Sequence, residues 1–252
     1  MSSPDNLFHF TNKARLYKIL ESTFKLSFAR EKISGTTITK EFAVPMVSFC
    51  DLRLSELKEH ITKYGKFGIG LTKEWAIKKG LNPVMYVSGN SLFTNNYLKG
   101  IDNLYATWKS TNDPIVSNSI SNSYINLLNS FRYMKNYEGM LSRNSKKSRK
   151  YRFADEREWR YVPELNNHIN HPDFLSIHKI RTSREKASNN KKLNHLRLSF
   201  QPDDIKYLIV KSENEIDPLI KHLQHVKSIY SQTIVSRLSS RILTYEQINK
   251  DI

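Results

Sequence analysis

The spacing of apolar residues in the N-terminal part of the chain predicts a strand followed at once by a helix. Leu7 to Phe10 is short, aromatic and bordered by polar residues, which is typical of a strand. Asn12 then offers a side chain that caps a helix, and apolar residues recur at helical spacing from Leu16 to Leu20. The chain therefore opens with a strand that places His9 between two phenylalanines.

The same alternation of apolar and polar positions predicts a mixed α and β protein along the rest of the chain. Strands are predicted at residues 42–50, 67–71, 84–87 and 207–210. Short helices are predicted after Asp51 and after Thr72, and an amphipathic helix after the strand at 207–210. A helical insertion is predicted at about residues 91–141, clearest from Ser121 to Met140 after a break at Pro114. We expect one α+β domain over residues 1–252.

Charge changes this picture more than any other property of the composition. Lys and Arg number 40 against 24 Asp and Glu, which gives a formal net charge of +16. A positive field of this size attracts polyanions and speeds their encounter, so nucleic acid or an assembly that contains it is the expected partner. An acidic protein partner is the alternative.

Cys50 is the single cysteine, so a disulfide framework and a cysteine-rich zinc site are excluded. No stretch approaches the roughly 18 apolar residues that span a bilayer, and the N-terminus lacks a basic flank followed by an apolar core. We therefore expect a cytoplasmic protein that is neither exported nor embedded in a membrane.

Two basic segments lie on either side of an acidic run. Residues 142–152 carry Lys and Arg without an acid, and residues 179–197 again place Ser and Asn between positive charges. We expect both to be solvated loops. If the sheet brings them to one rim, they would steer phosphate groups towards the carboxylates between them; otherwise each faces water independently. The residues expected to contact nucleic acid are Lys146, Lys147, Arg149, Lys150, Arg152, Arg181, Arg184, Lys191 and Lys192.

The acidic run, Asp155 to Val162, is the most distinctive short motif in the chain. If it is extended, alternation puts Glu156, Glu158 and Arg160 on one face of a strand. Two carboxylates on one face repel each other, and the pKa of one rises unless an arginine or a ligand offsets the charge, as active sites arrange. The alternative is the charged outer face of an edge strand with Glu and Arg cross-strand pairs.

His9 acquires a chemical role only in combination with other residues. Alone, it is an ordinary hydrogen-bonded, half-buried strand residue. A neutral imidazole also holds a sugar hydroxyl, an aromatic ring stacks on a flat ring, and a glutamate stabilises the cation that forms as a glycosidic bond breaks. His9, Tyr64 and either Glu156 or Glu158 supply these three groups in chain order.

A metal-dependent chemistry is the weaker alternative. Asp173, with Asp204 and Lys206 far downstream, superficially resembles the carboxylates and lysine of a magnesium-dependent nuclease. Asp203 and Asp204 read equally as a turn before an apolar strand. The paired histidines, such as His222 and His225, lack the third ligand of a zinc site. We therefore expect no metal.

Four ordered motifs span most of the chain. They are LFHFTNKARLYKILES at 7–22, VPMVSFCDLRLSELKEHITKYGKFGIGLTKEWA at 44–76, ADEREWRYVPEL at 154–165 and FQPDDIKYLIVK at 200–211. Together they resemble the AbiGi-type proteins of bacterial abortive phage resistance. The resemblance implies the antitoxin-like half of a two-gene phage-defence system, which names a context and not a reaction.

A second resemblance concerns chemistry. A strand with His9 and Thr11, followed by a helix with a Leu, Ile, Leu pattern, is similar to the first motif of ADP-ribosyltransferases. The resemblance implies NAD as the cofactor, with His9 at the nicotinamide-side ribose and Thr11 beside it. Tyr64 best matches the stacking aromatic of that family, with Phe67 as a substitute. The serine-rich middle motif of the family is absent, and the spacing around Tyr64 is inexact.

The transferase resemblance also implies a catalytic carboxylate and a fold. Glu158 would be the catalytic residue, and Glu156 would complete a Glu-x-Glu arrangement. The fold would be a curved, split antiparallel sheet of about six to eight strands with helices outside. Two functions follow. One is NAD-dependent transfer of ADP-ribose, with nucleic acid as the expected target. The other is a non-enzymatic, antitoxin-like module that binds nucleic acid or a toxin.

Overall fold

The computed structural model describes residues 4–141, 149–163 and 174–251, and these ranges contain nine α-helices and fifteen β-strands. The helices are α1 (Lys13–Ser22), α2 (Leu57–Tyr64), α3 (Lys73–Lys78), α4 (Leu92–Ser110), α5 (Pro114–Phe131), α6 (Ser183–Lys192), α7 (Ile216–Val226), α8 (Gln232–Ser239) and α9 (Tyr245–Asp251). The strands are β1 (Asn6–Thr11), β2 (Phe24–Lys25), β3 (Ser27–Ser34), β4 (Thr39–Cys50), β5 (Phe67–Thr72), β6 (Asn82–Pro83), β7 (Met85–Val87), β8 (Met134–Asn136), β9 (Glu138–Leu141), β10 (Arg149–Arg152), β11 (Glu158–Tyr161), β12 (Leu175–Ser176), β13 (Arg197–Leu198), β14 (Ile205–Val210) and β15 (Ile242–Thr244).

A nine-stranded sheet forms the centre of the described structure. Its strand order is β15-β14-β5-β1-β4-β11-β6, and β3 and β12 pair with β4 beside this path. The paired strands run antiparallel, except that β14 and β15 run parallel. Two-stranded ladders join β9 to β10, β2 to β13 and β7 to β8. The long strand β4 therefore connects most of the elements around the site described below.

Apolar side chains cover both faces of the central sheet. On one side, here called the α1 face, Leu7 and Phe49 belong to a core under α1, α3 and α7. On the other side, here called the α2 face, Phe8 and Cys50 pack with residues of α2 and α9. Successive residues of a strand point to opposite faces. The α+β class is therefore confirmed, with a mostly antiparallel sheet between helical layers.

Local sequence signals explain where the first elements begin and end. The side chains of Asn12 and Thr72 each accept a hydrogen bond from the backbone N–H three residues on, at 3.0 and 3.1 Å, and so cap α1 and α3. Gly65 ends α2 with φ of +128°, and a Cβ there would lie 2.2 Å from the carbonyl oxygen of Thr11. Only glycine fits this turn, which sets α2 directly against β1.

The predicted helical insertion is a helical hairpin followed by strands. The two helices α4 and α5 cover 92–131, whereas residues 134–136 and 138–141 are extended, so the predicted helix over the last part of 91–141 is wrong. Pro114 is the first residue of α5 rather than a break, and the Asp113 side chain caps the helix. The missing N–H of proline costs nothing in the first turn.

Neither basic segment is a loop throughout. Residues 149–152 form β10, antiparallel to β9, and residues 183–192 form α6. The helix forms in spite of its charge because Thr182 and Glu185 make a capping box at its N-terminus. Residues 142–148 of the first segment lie outside the described residues.

The central sheet has nine strands rather than the six to eight predicted. The additional strands carry weak sequence signals: β6 and β12 have two residues each, and β3 carries three successive charged residues from Arg30 to Lys32. A half-exposed strand of this kind lacks the apolar run from which strands are predicted. Among the described helices, none combines the length and hydropathy that crossing a bilayer requires.

Candidate functional site

Five charged side chains meet where β3, β8 and β11 approach each other. They are Glu31, Lys135, Glu156, Glu158 and Arg160, and we call them the charged network. Arg160 is fully buried, and Glu156 and Glu158 are 5% and 6% exposed. Ionised side chains are buried at this depth only when they are paired. The network is therefore the strongest candidate for a site in the described structure.

Glu158 lies at the centre of the network. Its Oε1 accepts hydrogen bonds from the Ser48 hydroxyl and from Arg160 Nε, each at 2.7 Å. Its Oε2 accepts from Lys135 Nζ at 2.8 Å and from Arg160 Nη2 at 3.3 Å. The guanidinium of Arg160 also pairs with Glu31 at 2.9 Å. Both oxygens of Glu158 are thus occupied by side chains of the protein.

The charges of the network hold each other ionised. Burial alone would raise the pKa of Glu158, but Arg160 and Lys135 outweigh it and hold that pKa below its ordinary value. Burial likewise opposes the charge on Lys135, but Glu158 and Glu156 raise its pKa. Glu31 differs, because burial raises its pKa more than Arg160 lowers it. The sequence left open whether an arginine or a ligand offsets the charge of the paired carboxylates, and Arg160 does so for Glu158.

Glu156 connects Lys135 of the network to Tyr64. Its Oε2 accepts a hydrogen bond from Lys135 Nζ at 2.9 Å, and its Oε1 accepts one from the hydroxyl of Tyr64. Tyr64 is the last residue of α2, and its ring stacks on His60 with centroids 4.3 Å apart. The structure therefore brings together Tyr64, Glu156 and Glu158, with Lys135 between the two carboxylates.

A tight turn sets the two glutamates side by side. Residues 153–156 form a single 3₁₀ turn, Arg157 follows with φ of +42°, and β11 begins at Glu158. The backbone N–H of Glu158 donates to the hydroxyl of Tyr86 at 2.8 Å. Burial raises the pKa of Tyr86 to about 12, so this hydroxyl stays protonated at neutral pH. The sequence analysis considered a strand from Asp155 onward. Because Arg157 has a left-handed backbone conformation, the strand begins only at Glu158.

The predicted alternation of the acidic run is confirmed from Glu158 onward. Glu158 and Arg160 share the α2 face, while Trp159 and Tyr161 pack against the core of the α1 face. The alternative, an exposed edge strand, is wrong because β11 lies between β4 and β6. A charged strand face inside a sheet requires internal partners, and the network supplies them.

An open cleft of about 1030 Å³ lies beside the network. Glu31, Lys135, Glu156 and Tyr64 line it, together with polar and aromatic residues of the β7, β8 and β9 region. Asn136 in its wall bonds to the backbone N–H and carbonyl of Ser34, at 2.8 and 3.0 Å. The volume suits a ligand as large as a dinucleotide.

His9 lies on the opposite face of the sheet from Glu158. Its Nδ1 donates to the carbonyl oxygen of Ser48 at 2.8 Å, and its ring meets the ring of Phe24 edge-on at 5.3 Å. Burial, together with the charge of Arg15, lowers the pKa of His9 against the opposing effect of the Ser48 carbonyl, so the imidazole is neutral at pH 7. Phe8, the residue before His9, is the one that pairs with Cys50 on the Glu158 side.

The transferase arrangement of one pocket lined by His9 and Glu158 is therefore not formed. A shift of one residue along a strand moves a side chain to the other face. Thr11 and Phe67 pair with each other across β1 and β5 and are 4% and 8% exposed. The roles proposed for these residues in binding NAD stay predictions.

The basic residues predicted to bind nucleic acid fall into two groups. On β10 and the turn after it, Lys150 pairs with Glu138 at 2.8 Å and Arg152 approaches Asp155 at 3.6 Å. Arg181 contacts the ring of His178. Three others, Arg184, Lys191 and Lys192, are exposed on α6. Lys146 and Lys147 lie outside the described residues, and only the backbone of Arg149 is described.

Both basic segments reach the cleft through one contact each. Arg30, which lines the cleft, donates to the carbonyl oxygen of Arg181 at 2.6 Å. Glu138, which also lines it, holds Lys150. These contacts bring part of each basic segment near a residue that lines the cleft, and the approach of both segments to the carboxylates from one rim stays a prediction.

The carboxylates considered for a nuclease serve a turn. Asp204 Oδ2 accepts a hydrogen bond from the backbone N–H of Gln201 at 2.7 Å, and Asp203 pairs with Arg237 at 3.0 Å. Asp173 lies outside the described residues. Within residues 4–141, 149–163 and 174–251, no group of three or more His, Cys, Asp and Glu side chains could hold a metal ion.

Sequence reasoning missed two members of the network. Lys135 comes from β8 and Glu31 from β3, and neither stands in a motif. The one local signal is that Arg160 and the glutamates form a buried charged face, which requires further counter-charges from other strands. Only the sheet topology identifies which residues supply them.

Together, the fold and the network define a mostly antiparallel α+β protein with a self-neutralised charged site beside an open cleft. Comparison with known proteins then places the chain in a family. A family model described as "Putative abortive phage resistance protein AbiGi, antitoxin" matches residues 17–211. The chain belongs to the AbiGi family of abortive phage resistance proteins, as the four sequence motifs predicted.

One curated relative agrees with this assignment. The "Abortive phage resistance protein AbiGi" of Lactococcus lactis subsp. cremoris is 32% identical over 236 residues, which cover 85% of this chain and 91% of that protein. No solved structure matches the chain. The resemblance to the ADP-ribosyltransferase core therefore rests on the first strand and the glutamate pair alone.

Proposed function

We propose that this chain is the neutralising partner of a cognate toxin in an abortive-infection system, and that it binds the toxin through the hairpin of α4 and α5, called the helical arm. The family description supplies the antitoxin role. The observation that carries the proposal is the surface of the arm. Of the eleven exposed large hydrophobic side chains in the described residues, six lie on these two helices.

The α5 helix of the arm carries exposed apolar side chains and no charge. Residues 114–131 contain no Asp, Glu, Lys or Arg, although such residues make up 25% of the chain. Ile115 is 83% exposed and Val116 46% exposed, and Tyr105 on α4 is 44% exposed. Exposed apolar patches that lack charge are typical of protein interfaces. The base of the arm packs on the sheet through Leu98 and Phe131, which leaves the opposite end for a partner.

The charged network favours binding over catalysis. A catalytic carboxylate needs an oxygen that faces substrate, whereas both oxygens of Glu158 are bonded to Ser48, Lys135 and Arg160. A buried carboxylate whose two oxygens are both hydrogen-bonded within the protein is typical of a structural network that fixes one arrangement of strands.

Co-expression with the toxin of the same defence system tests the proposal. The wild-type chain should restore growth and co-purify with the toxin. A double variant with Ile115→Asn and Val116→Asn should weaken binding at least tenfold, because it removes apolar anchors from the interface. A matched control is Ile229→Asn, which changes an isoleucine that is 87% exposed outside the arm.

Thermal unfolding of each variant separates binding from folding. The proposal fails if the arm variant keeps its melting temperature and still neutralises the toxin as well as the wild type. It also fails if Ile229→Asn has the same effect as the arm variant, because the loss would then not depend on the arm.

A second candidate function is NAD-dependent transfer of ADP-ribose. The observation in its favour is the cleft, which has room for a dinucleotide and is lined by Tyr64 and Glu156. In this function Glu156 would face the ligand, with Tyr64 as the stacking ring. Incubation with labelled NAD and mixed nucleic-acid and protein targets would release nicotinamide, and Glu156→Gln would abolish the release. Toxin neutralisation without nicotinamide release would leave the binding function alone.

A further inference from the structure

Basic side chains from separate elements gather on the surface beside α6. The centre of this surface is formed by Arg15 on α1, Arg30 on β3 and Lys186 on α6. Lys186 is half-buried, and its pKa is lowered first by burial and then by the positive charges of Arg30 and Arg15. The strand β3 contacts α6 directly, because the backbone N–H of Phe28 donates to Asn190 Oδ1 at 2.8 Å and Arg30 donates to the carbonyl oxygen of Arg181 just before the helix. Lys186 is therefore close enough to both arginines to be repelled by them.

A second pair of like charges lies in the strand that follows α6. Arg197 on β13 stands directly opposite Lys25 on β2 in the antiparallel ladder. Their neighbours Phe24 and Leu198 are buried, so Lys25 and Arg197 point outward. Like charges directly opposite each other destabilise a ladder, and an anion bound over them would remove that cost.

The helix α6 itself carries three more exposed cations. Arg184 and Lys191 are seven residues apart, about 10 Å along the helix axis, and Lys192 follows. Glu185 is the acidic residue of α6, and its carboxylate accepts hydrogen bonds from the backbone N–H and hydroxyl of Thr182, so the helix keeps a net positive charge.

None of these cations has a carboxylate partner in the part of the chain that the structure describes. We call this surface the basic face. Its outward cations are those introduced above: Arg15, Lys25, Arg30, Arg184, Lys186, Lys191, Lys192 and Arg197. A surface with eight cations and no carboxylate paired to them is arranged for an anionic partner.

The apolar content of the basic face distinguishes a nucleic acid from an acidic protein. Among the described residues of α1, β2, β3, β13 and α6, no large apolar or aromatic side chain is exposed. Protein interfaces centre on such anchors, whereas nucleic-acid interfaces are more polar and more positive. Without exposed rings the surface also lacks the stacking platforms that hold single strands.

We infer that the basic face binds the phosphate backbone of double-stranded nucleic acid without reading bases, with a phosphate seated between Arg15, Arg30 and Lys186. This function goes beyond toxin neutralisation and uses a surface separate from the helical arm. Arg30 lines the cleft as well, so the bound duplex lies at the edge of the cleft.

Fluorescence anisotropy with a short labelled DNA duplex of arbitrary sequence tests the inference. The affinity of the wild-type chain should fall steeply between about 50 and 200 mM salt. A triple variant, Arg184→Gln with Lys191→Gln and Lys192→Gln, should bind at least tenfold more weakly at the same salt. The slope of log affinity against log salt should become shallower by about 0.9 for each phosphate that the variant no longer neutralises.

A matched control removes three positive charges elsewhere: Lys58→Gln with Lys206→Gln and Lys250→Gln, on α2, β14 and α9. It should keep affinity within about twofold, because phosphate contacts act locally. Lys186→Gln should weaken binding without lowering the melting temperature, since it removes a partly buried charge that Arg15 and Arg30 repel.

Four results would overturn the inference. They are failure of the wild type to bind the duplex at low salt, equal losses in the two triple variants, tighter binding of single strands, and displacement of the duplex by polyglutamate at equal charge concentration. The last would assign the basic face to an acidic protein. Toxin neutralisation should be unchanged in the basic-face variant, so this inference and the proposed function fail independently.

Discussion

The charged network and the basic face use charge in opposite ways. In the network, Glu158 and Arg160 are buried and each bonds to several partners at 2.7 to 3.4 Å. On the basic face, Arg15, Arg30 and Lys25 are exposed and have no carboxylate partner in the described residues. Buried charges must be satisfied for the chain to fold, whereas exposed charges of one sign leave their field available to a partner.

This difference separates structural from functional charge. The acidic run looked like an active site because its glutamates stand together, yet their partners are inside the same protein. The sequence predicted a solvated loop at residues 179–197, yet the cations of its central part lie on α6. This helix packs against β3, which carries Arg30. Substitutions in the two regions should therefore affect different properties, stability in the first and binding in the second.

The largest effect should follow Glu158→Ala. Without this carboxylate, Arg160 keeps only Glu31 as a carboxylate partner and Lys135 keeps only Glu156. Breaking a buried ion pair costs about 3–5 kcal/mol of unfolding free energy. Urea unfolding at pH 7 measures the loss. In the wild type this contribution is present above about pH 4.3 and is lost only as the pH falls through the lower pKa of folded Glu158.

The control for this variant is Glu138→Ala, which removes an exposed carboxylate paired with Lys150. It should cost less than about 1 kcal/mol, as exposed pairs do. Equal costs for the two variants would mean that burial does not distinguish the network from the surface.

Lys135→Met should have the next largest effect, about 2–3 kcal/mol at pH 7, since breaking a buried pair leaves Glu156 and Glu158 facing each other. Their repulsion raises the pKa of one carboxyl above its unfolded value. A raised folded pKa gives stability that is present at low pH and lost as the pH rises through it. The deficit relative to wild type should therefore shrink between pH 7 and pH 5.

Urea unfolding of both proteins across that range measures the change. A deficit that stays constant would show that Lys135 stabilises the fold by packing and not by charge.

His9→Gln should remove part of the pH dependence of stability. His9 stands between the two regions: it bonds to the Ser48 carbonyl, and burial, followed by the charge of Arg15, lowers its pKa. A lowered folded pKa gives stability that is present above about pH 6.5 and lost as the pH falls through the folded value. The wild type should therefore lose up to about 1.4 kcal/mol per pH unit more than the variant on acidification. Parallel stability curves would contradict this.

The smallest effect should be a gain. Lys25→Glu places a carboxylate opposite Arg197 in the ladder of β2 and β13, and should stabilise the protein by about 0.5 kcal/mol. Lys25→Gln should give about half of this gain, because it removes repulsion without adding attraction. Both should weaken duplex binding, which anisotropy measures. A loss of stability in Lys25→Glu would mean that the like charges are not in contact.

Some elements could be predicted because their signals are local. Asn12 caps α1 and a helix follows Thr72, as the sequence indicated. These depend on hydrogen bonds and sterics within a few residues. Strands such as β3 were missed because their pairing partner, and not their composition, makes them strands.

The site could be predicted only in part for the same reason. That Glu158 and Arg160 share a face follows from alternation along one strand. That His9 faces the other way depends on the register of β1 against β4, which the sequence does not specify.

The sequence by itself determined the family, the α+β class, the positive charge and the shared face of Glu158 and Arg160, because each is written in composition or in residues close along the chain. The tertiary structure alone decided that Lys135 joins Glu158 to Glu156, that Glu31 pairs with Arg160, that His9 lies on the opposite face, and that β3 brings Arg30 to the N-terminal end of α6. These facts depend on contacts between residues far apart in sequence, and only the pairing of strands brings such residues together.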